Sequence, residues 1–203
     1  MTTDWFERAT LRGPTLTLTP LSVADAADYR AAVGEPPEAD ELFRYLRLAP
    51  PAEVADAVRI IEDTEADGDR LAYAQRLRAT GEFVGTTSFY EISPQWRSVA
   101  IGHTWVARRH WRTQVNTESK LIMLTRAFEG LGAERVVWHT DILNLRSQQA
   151  IERLGAQREG VLRHHRLRLD GSWRDTVQFS MLAGEWPAVR ARLTARIQHF
   201  ASQ

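Results

Sequence analysis

The chain contains no cysteine among its 203 residues. That absence excludes disulfides, thiolate metal sites and a cysteine nucleophile, and it accords with a reducing compartment. Long apolar runs are missing as well. None approaches the roughly 20 residues that a membrane-spanning helix needs, and the opening MTTDWFERAT has neither the basic region nor the apolar core of a secretory signal. The expectation is a soluble cytoplasmic protein with no membrane partner. Net charge is also lacking, since 26 Lys plus Arg balance 26 Asp plus Glu. Such a surface offers polyanions no general attraction, so no nucleic-acid partner is expected and a polyphosphate would need a local site. Histidines and carboxylates show no metal-ligand spacing, and no metal is expected.

Repeats, low-complexity segments and interior linkers are absent too. A hydrophobic content of 43% permits one substantial core. One domain is expected over residues 1–203, with about 184–203 as a C-terminal helical extension.

What is present reads as alternating strands and helices. Thr15 to Thr19 alternates at period two, and an Asp/Ala-rich helical pattern runs from about Val23 to Val33. A Pro/Glu-rich loop (34–40), a short helix through Leu42–Leu46 and a helix from Pro50-Pro51 to about Ala66 follow. Leu71–Leu77, Phe83–Ile92 and Val99–Val106 predict an antiparallel meander. Leu121, Leu124, Phe128 and Leu131 recur at three- and four-residue spacing and predict an amphipathic helix over 117–131. Then come a strand at Arg135–Thr140 and a helix from Asn144 to Leu154, closed by Gly155. Strands at Gly160–Leu169 and Trp173–Leu182 are joined by Asp170-Gly171, a strong hairpin signal. A last helix begins near Glu185-Trp186-Pro187.

The loop HWRTQVNTESK, residues 110–120, opens the amphipathic helix where an anion could be held, yet it lacks glycine. Glycine eases close approach and positive φ, but the anion itself is held by N–H groups and the helix dipole, which every residue except proline supplies. No proline occurs from Arg112 to Thr117, so the donors Thr113, Gln114, Val115, Asn116 and Thr117 remain. The Arg112 guanidinium adds a group suited to phosphate. Ordinary helix capping by Asn116 or Thr117 explains the same residues without a ligand.

Taken in order, WRTQVNTESKL, AFEGLGAERV, TDILNLRSQQAIERLGA, EGVLRHH and RDTVQFSMLAGEWP resemble the GCN5-related N-acetyltransferases, in the branch of the ribosomal-protein alanine acetyltransferases. The similarity is dense from Ile101 to Leu193. It implies an α/β (α+β) fold: a central, mostly antiparallel twisted sheet with a splayed parallel strand pair and helices on both faces. It also implies acetyl-CoA as co-substrate in the cleft between the strands ending near Val106 and Thr140, an amine as second substrate, and a homodimer joined through the C-terminal hairpin. The resemblance sets Arg112 and Gln114 where the family's diphosphate loop has glycines, and Asn116 at its last small position.

Asn144-Leu145-Arg146-Ser147 matches the family's Asn-x-x-Ser, which implies Asn144 on the pantetheine arm and Ser147 near the thioester sulfur, placed to protonate the thiolate. The same pair is also an ordinary helix N-cap and first turn. A main-chain N–H of Thr104, Trp105 or Val106 is implied for the carbonyl oxygen. The two positions where relatives carry a catalytic Glu are Ala100 and Arg166. Remaining candidates for the base are His103, His165 and His164, with Glu91 and Asp141 behind them. An acceptor whose amine has a pKa near 8 needs no base at all. Of the tryptophans, Trp105, Trp138 and Trp173 read as core, Trp186 as capping the last helix, and Trp96 as best placed to meet a substrate.

Two other readings stand beside the transferase. The missing carboxylates suit a CoA-binding module without catalysis, and side chains at Arg112 and Gln114 suit a loop that takes no nucleotide. The acceptor, whether protein N-terminus, peptide or small amine, is left open, although a neutral chain favours a peptide or small molecule over a highly basic ribosomal protein.

Overall fold

The structure is a computed structural model and describes residues 4–201. Its frame is one eight-stranded sheet in the order β1-β2-β3-β4-β5-β6-β8-β7. The strands are β1 (Leu11–Arg12), β2 (Leu16–Pro20), β3 (Arg70–Leu77), β4 (Phe83–Ser93), β5 (Ser98–Val106), β6 (Arg135–Asp141), β7 (Gln157–Leu167) and β8 (Trp173–Leu182). Every pairing is antiparallel except β5 with β6. The short β1 was not anticipated; two residues are too few to show alternation.

Two cores lie on the sheet. One joins Leu16, Leu18, Tyr73, Phe89, Ile101, Val136 and Phe179 to α4 (Val115–Thr125) and α6 (Trp186–Ala201). The other joins Ala72, Ala74, Phe83 and Trp105 to α1 (Ala26–Val33), α2 (Glu38–Phe43) and α3 (Val54–Ala66). Helix α2 lies earlier than the 42–46 reading because Glu38, Asp40 and Glu41 fill its first turn, where acidic groups suit the helix dipole. Helix α5 (Leu145–Leu154) ends, as expected, on Gly155 at φ 94°. Among the described residues no helix is long and apolar enough to cross a membrane.

Strand β5 is not a regular alternation. Val99 and Ile101 face the α4 core, yet Trp105 faces the other core and Val106 the first. Register against β4 breaks between Thr86 and Ser88, opposite His103, which sits at φ 48°. One extra residue turns each later side chain to the opposite face, as a bulge must. Opposite it, Gly85 at φ 146° lies so close to β5 that a Cβ would fall 2.1 Å from the Trp105 carbonyl oxygen.

Candidate active site

Strands β5 and β6 pair only at Ser98/Arg135, Val99/Val136 and Ala100/Val137. Beyond Ala100 the β5 bulge redirects the strand and the pair splays apart. A cleft of about 1400 Å³ opens there, lined by residues of β5, β6, α5 and the loop after β5.

At one end stands the glycine-free loop. Arg112 takes φ 63°, the left-handed conformation for which glycine is usual, whereas Gln114 is right-handed at φ −70° and needs no glycine. Helix α4 starts at Val115, two residues before the sequence reading, and neither Asn116 nor Thr117 caps it. The Thr113 hydroxyl does that work, accepting from the Val115 amide at 3.3 Å while donating to the His110 carbonyl at 2.7 Å. The Val115 amide is therefore committed and its side chain is buried in the core. Gln114 turns away from the cleft, donating to Thr15 Oγ1 at 3.2 Å. Among the described residues the amides of Gln114, Asn116 and Thr117 have no acceptor, as expected of a helix's first turn. Thr113, Asn116, Thr117 and Arg112 line the cleft. Trp111 donates its Nε1 to the Val106 carbonyl at 2.7 Å and carries the Arg146 guanidinium 4.0 Å above its ring, which ties the loop to α5.

The loop end is fastened by a buried carboxylate. Glu118 Oε1 accepts from the Thr15 and Leu16 amides at 2.7 and 2.8 Å, and its other oxygen accepts from the Thr15 hydroxyl. This ties the first turn of α4 to the start of β2.

Across the cleft, Asn144 caps α5, its Oδ1 accepting from the Ser147 amide at 3.0 Å. The Asn144 amide nitrogen and the Ser147 hydroxyl have no partner among the described residues, and both residues line the cleft.

At the other end, side chains converge from five strands. The Tyr90 ring lies over Gly102, where a Cβ would approach it to 2.7 Å, and stands edge-on to His103 at 5.1 Å. Its hydroxyl meets His139 Nδ1 at 2.9 Å. Gln178 donates its amide to Glu159 Oε2 at 2.8 Å, so the Gln178 carbonyl faces His139 Nε2 at 3.2 Å and must accept from it. That fixes a proton on Nε2, and in the neutral imidazole the Tyr90 hydroxyl is then the donor to Nδ1. Burial, with the Glu91 charge nearby, raises the Tyr90 phenol well above its ordinary range, so it remains a donor. His103 has its ring in the mouth of the cleft, where surrounding protein and the guanidiniums of Arg70, Arg174 and Arg47 push it down to about 3; it is neutral at pH 7. Burial and neighbouring cations also lower His165, whose Nδ1 is buried without a partner.

Between the two ends lies Lys120, a buried residue with no carboxylate partner among the described residues. Its Nζ donates to Thr104 Oγ1 at 2.7 Å and Thr87 Oγ1 at 3.2 Å, and burial lowers it to about 7.

Most of the residues singled out from the sequence meet here: His103, Thr104, Trp105, Val106, Arg112, Thr113, Asn116, Thr117, Asn144, Ser147 and His165 line one cleft. Gln114, Val115 and His164 do not. The β7 register breaks between Leu162 and Arg166, and His164, left-handed at φ 49°, stacks on Trp173 at 5.1 Å. Trp173 is accordingly exposed rather than core, because that hairpin leaves the sheet's packed face. Trp96 is 77% exposed and not among the lining residues, while Trp105, Trp138 and Trp186 are buried. Glu91 lines the cleft beside Arg166, and Asp141 is held by Arg168 at 2.8 and 3.0 Å, a structural role. Tyr90, His139, Arg174 and Lys120 escaped the sequence reading, since nothing in their local spacing separates them from ordinary strand and helix residues.

The comparisons agree with this geometry. Residues 15–157 match the acetyltransferase (GNAT) domain family. The uncharacterized N-acetyltransferase p20 of Bacillus licheniformis is 26% identical over 149 residues, covering 72% of this chain and 83% of that protein. A GCN5-related N-acetyltransferase from Brucella melitensis superimposes with a TM-score of 0.90 at 28% identity, over 96% of this chain and 87% of that one. RimJ of Mycobacterium smegmatis, solved in complex with CoA-disulfide, gives 0.76 at 25% identity over 97% of both chains. The splayed sheet, the open helix terminus and a family match across most of the chain lead to one conclusion: the chain belongs to the GCN5-related N-acetyltransferases, enzymes that take their acetyl group from acetyl-CoA.

Proposed function

We propose that the chain transfers acetyl from acetyl-CoA to a primary amine by direct attack of the amine on the thioester. The observation that carries this reading is the meeting of open helix-terminal amides, the β5/β6 splay and a titratable cluster in a single cleft. The diphosphate sits on the amides of Asn116 and Thr117, assisted by the helix dipole, with Arg112 flanking it. The pantetheine arm runs between β5 and β6, where Asn144 has an amide nitrogen to offer. A main-chain N–H of the bulged segment Thr104–Val106 meets the carbonyl oxygen as negative charge develops there.

The amine nitrogen bonds to the carbonyl carbon, the C–S bond breaks, and the departing thiolate takes a proton from the Ser147 hydroxyl, which is reprotonated in the same step by water. The proton lost by the amine goes to water, through which it can reach His165 at the cleft wall. His103, with so low a pKa, is a poor acceptor of that proton.

Thermal unfolding and thiol release on the full chain test this. Acetyl-CoA at about 100 times its Kd stabilises by roughly 2.7 kcal/mol, a rise of roughly 5–11 °C for a chain of this size. No rise at millimolar acetyl-CoA sinks the reading, and binding without thiol release across a broad amine panel replaces it with a non-catalytic CoA-binding module.

A further inference from the structure

Taking the transferase reading as its basis, we propose that the acceptor is a small amine carrying its own carboxylate, and that Arg174 binds that carboxylate beside the acetylated nitrogen. Arg174 projects from β8 into the cleft opposite Arg166 of β7. It forms no ion pair among the described residues, and its Nε is buried without a partner. The carboxylate that acts on it most strongly, Asp141, is already occupied by two bonds from Arg168 and by the Leu143 amide.

Arg174 is not isolated. Arg47, on the loop after α2, lines the same space and, among the described residues, donates only to the Leu167 carbonyl at 3.3 Å. Arg70 donates to the hydroxyls of Ser88 and Thr64. These three guanidiniums act together on His103. Arg166 of β7 adds a fourth; against them stand Glu91, 3.9 Å from Arg166 and 3.8 Å from His139, Asp67, close enough to act on Arg70, and Asp69, which lines the same cleft. The local excess is positive in a chain whose total charge is zero, so it does not reflect general basicity.

A half-buried guanidinium without an anion is costly to hold and is suited to a planar carboxylate through two parallel bonds. An acceptor arriving as a bare ammonium is repelled by this end, and a diamine is repelled more. A zwitterion brings its own counter-charge. Once it is seated, the remaining positive field disfavours the ammonium form and favours the free amine that attacks. That offsets the lack of carboxylates at Ala100 and Arg166.

The test is acetyl-CoA thiol release by the full chain with the twenty L-amino acids, their carboxamides, aminoalkyl phosphates and aliphatic diamines. The expected result is a kcat/KM at least ten times higher for the best amino acid than for its carboxamide. Arg174→Gln removes that preference by raising the amino acid KM at least tenfold, with the acetyl-CoA KM unchanged and Tm not lowered. Arg174→Lys keeps part of it, and Arg47→Gln, on an exposed loop, lowers it by a smaller factor. Carboxamides or diamines matching the acids, phosphates outranking them, or a preference that survives Arg174→Gln would overturn the proposal. Acetyl-CoA binding with no thiol release from any of these compounds would instead overturn the transferase reading on which it rests.

Discussion

The two ends of the cleft are built by different means. The loop end is main chain: amides of the first turn of α4, one left-handed residue at Arg112, and a carboxylate beneath them that touches nothing in the cleft. The far end is side chain, with Tyr90, His139, His165 and Arg174 coming from four strands to one place. Main-chain donors tolerate almost any residue, so a loop with no glycine keeps the same chemistry as one rich in it. Side-chain donors tolerate very little. Co-substrate binding should therefore survive wide divergence among relatives, while acceptor choice changes with single residues at the other end.

The sharpest way to break this contrast is through the support of the loop end. Glu118→Ala leaves the Thr15 and Leu16 amides without an acceptor inside the protein, at a cost of about 3 kcal/mol. Calorimetry should show Tm falling by roughly 6–12 °C. A fall of less than 2 °C would mean that the loop end is held by something other than Glu118. Next in size is Ser147→Ala, on the boundary between the two ends. A proton donor to the leaving group accounts for about a hundredfold in kcat, so steady-state kinetics should show that loss with the acetyl-CoA KM within a factor of two.

Lys120, lying between the ends, gives a pH test. Its folded pKa of about 7 is below the ordinary lysine value of 10.5, so between those values the unfolded chain binds more protons. Stability should therefore rise with pH from about 7 upward, by up to 1.4 kcal/mol per unit from this group, and be fully reduced below pH 7. Urea denaturation of Lys120→Met at pH 7, 8 and 9 should show a gain of about 2 kcal/mol at pH 7 and a flatter profile. The smallest effect belongs to Arg112→Gly. Relief at φ 63° is worth about 1 kcal/mol, partly offset by the freedom glycine gains on unfolding. Tm should stay level or rise slightly while the acetyl-CoA KM rises about threefold. An unchanged KM would show that only backbone geometry matters there.

How far each end was legible in the sequence follows from the same contrast. Helix α4, the Asp170-Gly171 hairpin and the Asn144 cap have local signatures, so the loop end and the α5 side of the cleft could be read with their residues. The bulge at His103 could not: Ile-Gly-His-Thr-Trp-Val alternates no less plausibly without it, and only the packing of Trp105 against Tyr29 and Phe43 fixes the change of face. Because β8 inserts between β6 and β7, Arg174 and His139 come together through a pairing that no local pattern encodes. Lys120 was read past because its neighbours Glu118 and Ser119 are polar too, yet all three are buried where α4 is enclosed by the sheet and by β1, β2 and α6.

Glu118 and Thr15 are 103 residues apart, and that interval sets an order of events during synthesis. Strand β2 leaves the ribosome first, but its opening amides have no acceptor until α4 has been made. At about 5–20 residues per second the wait lasts roughly 5–20 s. The first turn of α4 thus becomes rigid only after a long-range closure, and the loop end should be among the later parts of the protein to acquire hydrogen-exchange protection on refolding.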